Sequence, residues 1–209
     1  GTQGLALVAQ AIISPGDRVV VLEPGWPNIS QTFEISGANI VTETLEVKDG
    51  HWHLDMSQLL SALTPETQAV VLNSPNNPTG WVMSIEEQWT LLMHCRKYEI
   101  WIVSDDVYSR LYANGSAAPS FLSITNPDDL FISINSFSKA WSMTGWRLGW
   151  LIAPAQLESV LAMLTEFNIA CPPGFIQQAG VVALRDGEDR LQALQDQLGL
   201  GYVLAASRL

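Results

Sequence analysis

Basic residues are scarce: 10 Lys and Arg stand against 21 Asp and Glu in 209 residues, a formal charge of −11. A polyanion needs a basic face to displace its counterions, so nucleic-acid binding is set aside as a role. Cysteine is nearly absent too. Cys95 and Cys171 lie far apart without metal-ligand spacing, and two thiols make no disulfide framework in a chain of this size. A reducing, cytoplasmic setting is the expectation. No apolar run approaches the roughly 18 residues that a membrane-spanning helix needs. The opening GTQGLALVAQ lacks the basic segment of a secretory leader, so the chain reads as soluble with no membrane partner. Lysine occurs only three times, at positions 48, 97 and 139.

What is present suffices for a core. With 47% hydrophobic residues the chain can bury one domain and part of a second. No internal repeat, low-complexity tract or linker interrupts it. Gly1 opens directly onto a helical pattern, and 187–209 reads as a helix cut off in progress, so a piece of a longer protein is expected.

Short β-rich runs alternate with longer amphipathic stretches, the pattern of βαβ units. Strands are expected at Arg18–Leu22, Asn39–Thr44, Ala69–Asn73, Ile100–Ser104, Phe131–Asn135 and Gly149–Ile152. Runs that are apolar throughout, such as Ala69–Leu72 and Ile100–Val103, indicate a mostly parallel sheet covered on both faces. Helices are expected at Gln3–Ile13, Asp55–Leu63, Ser84–Tyr98, Pro154–Asn168 and Gly174–Arg185, with Asp55 as an N-cap and Ser84 with Glu87 as a capping box. Pro15-Gly16, Pro24-Gly25, Pro75 to Gly80 and Asn114-Gly115 mark turns. The class is α/β.

Ligands of open α/β sheets bind beyond the carboxyl ends of the strands. Past three successive strand candidates come Asn73-Ser74-Pro75-Asn76-Asn77-Pro78-Thr79-Gly80, then Ser104-Asp105-Asp106-Val107-Tyr108, then Ser136-Phe137-Ser138-Lys139 followed by Gly145-Trp146-Arg147-Leu148-Gly149. Each has an ordinary explanation: a turn, a helix cap, a solvated lysine, a surface ion pair. Together they bring an amide, a carboxylate, a phenol, an amine and a guanidinium to one sheet edge, which chance does not arrange.

This series of motifs resembles the class I/II aminotransferases of the aspartate aminotransferase superfamily. Gly1-Thr2, Pro15-Gly16-Asp17 and Glu23-Pro24-Gly25-Trp26-Pro27 extend the resemblance, which runs from Gly1 to about Arg185. It implies the fold-type-I large domain, a three-layer sandwich around a mostly parallel mixed sheet, over residues 1–186. Residues 187–209 would begin an interdomain helix and a truncated small domain.

By the same resemblance the cofactor is pyridoxal 5′-phosphate (PLP) and Lys139 forms a Schiff base with it. The freed amine then serves as general base and acid. Asp105 would face the protonated ring nitrogen, and Asn77 and Tyr108 would hydrogen-bond the ring oxygen. Arg147, Ser136, Ser138 and the backbone N–H groups of Gly1 and Thr2 would hold the phosphate. Trp26 would stack on the ring, its alternative being a core indole. Asn77–Pro78 is a cis candidate. The activity implied is amino-group transfer between an amino acid and a 2-oxo acid, in a parent enzyme that is a homodimer.

The chain also departs from the pattern. Asp106 stands where the family usually has Glu. The family's first sheet strand would precede Gly1, which leaves the antiparallel strand at Gly149–Ile152 with an open edge. The small domain would normally supply the arginine that grips the substrate α-carboxylate.

Within the family, a PLP-dependent lyase or synthase is the first alternative. A second is an aminotransferase-like PLP sensor domain of a transcription regulator, although no basic helix-turn-helix segment is present. Ser136-x-x-Lys139 also matches an acyl-hydrolase pattern, but its K-T-G partner is missing. His51-x-His53 lacks a third metal ligand and reads as an exposed hairpin. The isolated chain is expected to turn over slowly or not at all, which an assay of several amino acids with 2-oxoglutarate checks; brisk turnover would contradict it.

Overall fold

The structure is a computed structural model that describes residues 1–112 and 117–208; the expected Asn114-Gly115 turn lies outside the described residues. Its frame is a six-stranded sheet in the order β2-β1-β5-β6-β7-β8. The strands are β1 (Arg18–Glu23), β2 (Asn39–Thr44), β5 (Thr67–Asn73), β6 (Trp101–Asp105), β7 (Phe131–Ser136) and β8 (Gly149–Ile152). Between β2 and β5 an exposed antiparallel hairpin joins β3 (Glu46–Lys48) to β4 (His51–His53), as expected for the His-x-His segment. All neighbouring pairs of the main sheet are parallel except β7 and β8. Strand β8 lies at the edge, as expected, with Ile152 40% exposed.

The helices are α1 (Thr2–Ile12), α2 (Asn28–Ile35), α3 (Met56–Ala62), α4 (Ile85–Tyr98), α5 (Glu158–Ile169), α6 (Gly174–Asp186) and α7 (Glu188–Ala206). They start where capping chemistry allows. The Asp55 carboxylate accepts from the N–H groups of Ser57 and Gln58, and Ser84 and Glu87 close a reciprocal capping box. Helix α5 begins later than expected, because residues 155–157 first form a 3-10 turn.

Helix α2 was not expected from the sequence. It is only eight residues long, starts at Pro27 without a side-chain cap and is mostly polar. Its anchor is the i, i+4 pair Ile29 and Phe33, both buried.

Side-chain alternation divides the interior into two layers. Val20, Leu22, Val70, Leu72 and Ile102 face α3 and α4, where they meet Leu59, Leu63, Leu91 and Leu92. Val19, Val21, Val71, Val103, Ile132 and Ile134 face α1, α2 and α5, where they meet Leu5, Val8, Phe33 and Leu161. A third cluster at the β8 edge packs Phe137, Trp141 and Trp150 against Ile176 and Ala183 of α6. The fold is thus helix–sheet–helix, the three-layer arrangement expected. No helix among the described residues is long and apolar enough to cross a membrane.

Phe33 is fully buried whereas Ile35, two residues on, is 85% exposed. Phe33→Ala should therefore cost about 3–5 kcal/mol. Ile35→Ala should change stability by no more than about 0.5 kcal/mol. Urea unfolding of both variants checks the contrast; equal losses would mean that α2 is not anchored by its inner face.

Candidate active site

Parity places the polar residues at the carboxyl edge. Two positions beyond Val71, Val103 and Ile134 come Asn73, Asp105 and Ser136, so all three emerge on the face covered by α1. Asn73 pairs in register with Asp105, and the Asn73 amide donates to the Asp105 carbonyl at 2.9 Å. Asn73 in turn accepts from the Asn77 N–H at 2.8 Å, which ties the loop after β5 to the end of β6.

That loop is tightly organised. Asn76 accepts from both the N–H and the hydroxyl of Thr79, Gly80 closes it at φ +73°, and the Asn77–Pro78 bond is cis, as are Glu23–Pro24 and Ser74–Pro75. Only glycine adopts that φ without strain.

These elements surround a cleft of about 190 Å³, lined among others by Gly1, Thr2, Trp26, Asn77, Asp105 and Tyr108. Ser136, Ser138, Lys139 and Arg147 complete its far side. Every candidate residue named from the sequence therefore borders one cavity. Asn73, Val107 and Thr144 border it too, although the sequence assigned them no role at the site. Asn73 was the findable one, since it ends its strand in phase with Asp105. Val107 and Thr144 carry no chemical signal in the sequence.

The cleft has an anion-seeking end. Helix α1 starts there with Gly1 as its N-cap and no side-chain cap, so its first N–H groups point to the cavity without helical partners. Arg147 is held at φ 55° and donates to the Thr144 carbonyl at 2.7 Å, which leaves the rest of its fork for another acceptor. The Ser136 hydroxyl accepts from the Ser138 N–H at 3.1 Å and shapes the turn that presents Ser138 and Lys139.

Gly149 makes the close approach possible. A Cβ there would collide with the Asn135 carbonyl oxygen and lie 3.2 Å from the Gly1 nitrogen.

The lining also holds a carboxyl group. Asp105 is 2% exposed, and its side chain accepts one long bond, 3.3 Å from the Val107 N–H. Burial pushes its pKa up to about 7; the Val107 bond opposes this, the neighbouring Asp106 adds to it, and Lys139 works against it. The Lys139 ammonium lies 5.4 Å from the centre of the Tyr108 ring, and the half-buried Lys139 lines the cavity. No carboxylate among the described residues forms an ion pair with it. Trp26 is half-buried: it borders the cleft and also packs on the α1-side core, so both sequence readings of it have a structural counterpart.

Asp106 is also buried, and burial raises its pKa to about 6 against the opposing bonds from Ser104 and Ser133. The two raised carboxyls fix a sign. The folded state binds their protons more tightly than the unfolded one, so their contribution to stability is full below about pH 4 and lost as pH rises through about 6 to 7. Asp105→Asn should accordingly melt above the ligand-free parent at pH 8, with the gap closing toward pH 5. Thermal melts across that range check it; a pH-independent gap would refute it.

The aminotransferase class I and II family model matches residues 1–199. The chain is 33% identical over 192 residues to an arginine–pyruvate transaminase of Pseudomonas aeruginosa, covering 92% of this chain and 48% of that protein. It is 31% identical to an aspartate/prephenate aminotransferase of Thermus thermophilus, covering 90% and 48%. Among solved structures, an aromatic aminotransferase of Pyrococcus horikoshii superposes with a TM-score of 0.92 at 25% identity, covering 100% of this chain and 56% of that one. An N-succinyldiaminopimelate aminotransferase of Mycobacterium tuberculosis gives 0.90 at 27% identity, covering 99% and 54%. The chain thus spans about half the length of these relatives.

Proposed function

We propose, from the premise that this chain belongs to the aminotransferase class I and II family, that it carries the cofactor core of a PLP-dependent enzyme moving an amino group between an amino acid and a 2-oxo acid. One observation carries the reading most. A half-buried amine without an ion pair among the described residues lines a cleft that also presents a buried carboxyl with a single long hydrogen bond and a helix N-terminus with a guanidinium.

That donor set fits PLP. The ring nitrogen of PLP is the N–H partner that Asp105 lacks inside the protein, and its phosphate matches the uncapped start of α1 with Arg147, Ser136 and Ser138. When bound, PLP supplies an aldehyde that condenses with amines and a ring that draws electron density from the substrate Cα.

The rest falls to the chain. Lys139 would anchor the cofactor covalently and, when displaced, would move the proton at the substrate Cα. Asp105 stays ionised once a cation faces it and keeps the ring nitrogen protonated. Asn77 and Tyr108 would donate toward the ring oxygen, and Asn73 holds the Asn77 backbone against the end of β6. Trp26 presents a flat apolar face.

We further propose a cytoplasmic homodimer. Both cysteines are unpaired, and Phe167, Phe175 and Tyr202 on α5, α6 and α7 remain exposed, as surfaces awaiting a partner are.

Adding PLP to the protein should produce a visible absorbance band. Borohydride should then fix the cofactor mass on the peptide containing Lys139, and Lys139→Ala should abolish both results. Asp105→Asn should weaken PLP binding by about tenfold or more. Reduction that labels Lys48 or Lys97 instead would overturn the assignment.

A further inference from the structure

Asp105 and Asp106 are consecutive, buried and both raised in pKa, yet they face opposite ways. Asp105 emerges toward α1 and the cleft. The Asp106 carboxylate turns to the other face, where it accepts from the Ser104 hydroxyl at 2.6 Å and from the Ser133 hydroxyl. Ser104 and Ser133 are register partners on β6 and β7. Ser133 accepts in its turn from the Asn135 amide at 2.8 Å, so its single hydroxyl proton is committed to Asp106.

The Asp106 backbone completes the tie. Its N–H donates to the Ile134 carbonyl at 2.9 Å, and its carbonyl accepts from the Ser109 N–H at 2.9 Å, closing the turn that contains Tyr108. One residue thus binds β6, β7 and the Tyr108 turn together. It does not border the cleft.

We propose that Asp106 is a positioning residue for the cofactor site: from behind the sheet its carboxylate clamps the end of β6 to β7, and so fixes Asp105 and Tyr108 relative to Lys139, which follows β7. The inference rests on the reading of the cleft as a PLP site. Asparagine presents one oxygen where two hydroxyls donate, so one serine must turn its hydroxyl to accept from the amide instead and its own proton loses the carboxylate, inside a region that water does not reach. The strand ends then loosen on the side where Asp105 and the Tyr108 turn are held.

Two measurements on Asp106→Asn, with Ser133→Ala as the milder variant, test this. Hydrogen exchange without cofactor should show the amides of residues 105–109 exchanging at least about tenfold faster, while α1 and β1 keep their parent rates. In the PLP-loaded protein the affinity should fall by about tenfold. The visible circular dichroism of the bound cofactor, which reports how the ring is held, should shrink with it. Should Asp106→Asn fail to fold, Ser133→Ala alone decides. Parent-like exchange at 105–109 in a folded variant overturns the clamp, and so does an unchanged circular dichroism at saturating PLP. If the parent protein binds no PLP while exchange at 105–109 still quickens, the clamp stands as a fold element and its role at a cofactor site is overturned.

Discussion

The alignment of β5, β6 and β7 at their carboxyl ends governs what lies above them. Asn73 pairs with Asp105 in register, and its amide reaches across to the Asp105 carbonyl. Because parallel strands place equivalent positions side by side, Asn73 and Asp105 reach the same face at the same height once the register is set, and Ser136 follows on that face two residues beyond Ile134, the partner of Asp105. The loop after β5, the Tyr108 turn after β6 and the Lys139 turn after β7 then have no choice but to converge. Their convergence requires no long-range contact of its own.

The desolvated carboxyl illustrates the cost of such a site. A group as buried as Asp105 with one long hydrogen bond is worse placed than it would be in water. The layers around it absorb that cost: α1, α2 and α5 on one side and α3 and α4 on the other enclose the central strands almost completely. A cationic ligand atom facing Asp105 relieves the penalty, so binding and folding draw on the same electrostatic imbalance.

Much of this was legible in the residues. The six strands of the main sheet, the Asp55 cap, the Ser84 capping box and the edge position of β8 follow from periodicity, turn chemistry and the family resemblance. The candidate site residues line one cleft because each follows a strand of one parallel sheet. Helix α2 was illegible because three apolar residues in eight, after a proline, make a pattern that a loop shares. Asn73 stands in the same motif as Asn77, but its bond to the Asp105 carbonyl crosses strands and leaves no mark in the sequence. Asp106 was visible only as a departure from Glu, since the serines that engage it come from two strands, and pairing across strands is absent from a single sequence.

The back-to-back disposition of Asp105 and Asp106 has one more consequence. Side chains alternate along a strand, so removing or adding a single residue within β6 would exchange the two carboxyls between the faces of the sheet. Asp106 would enter the cleft without its serines, and Asp105 would be thrust among the leucines beneath α4. The segment's length is therefore as strict a requirement as its side chains.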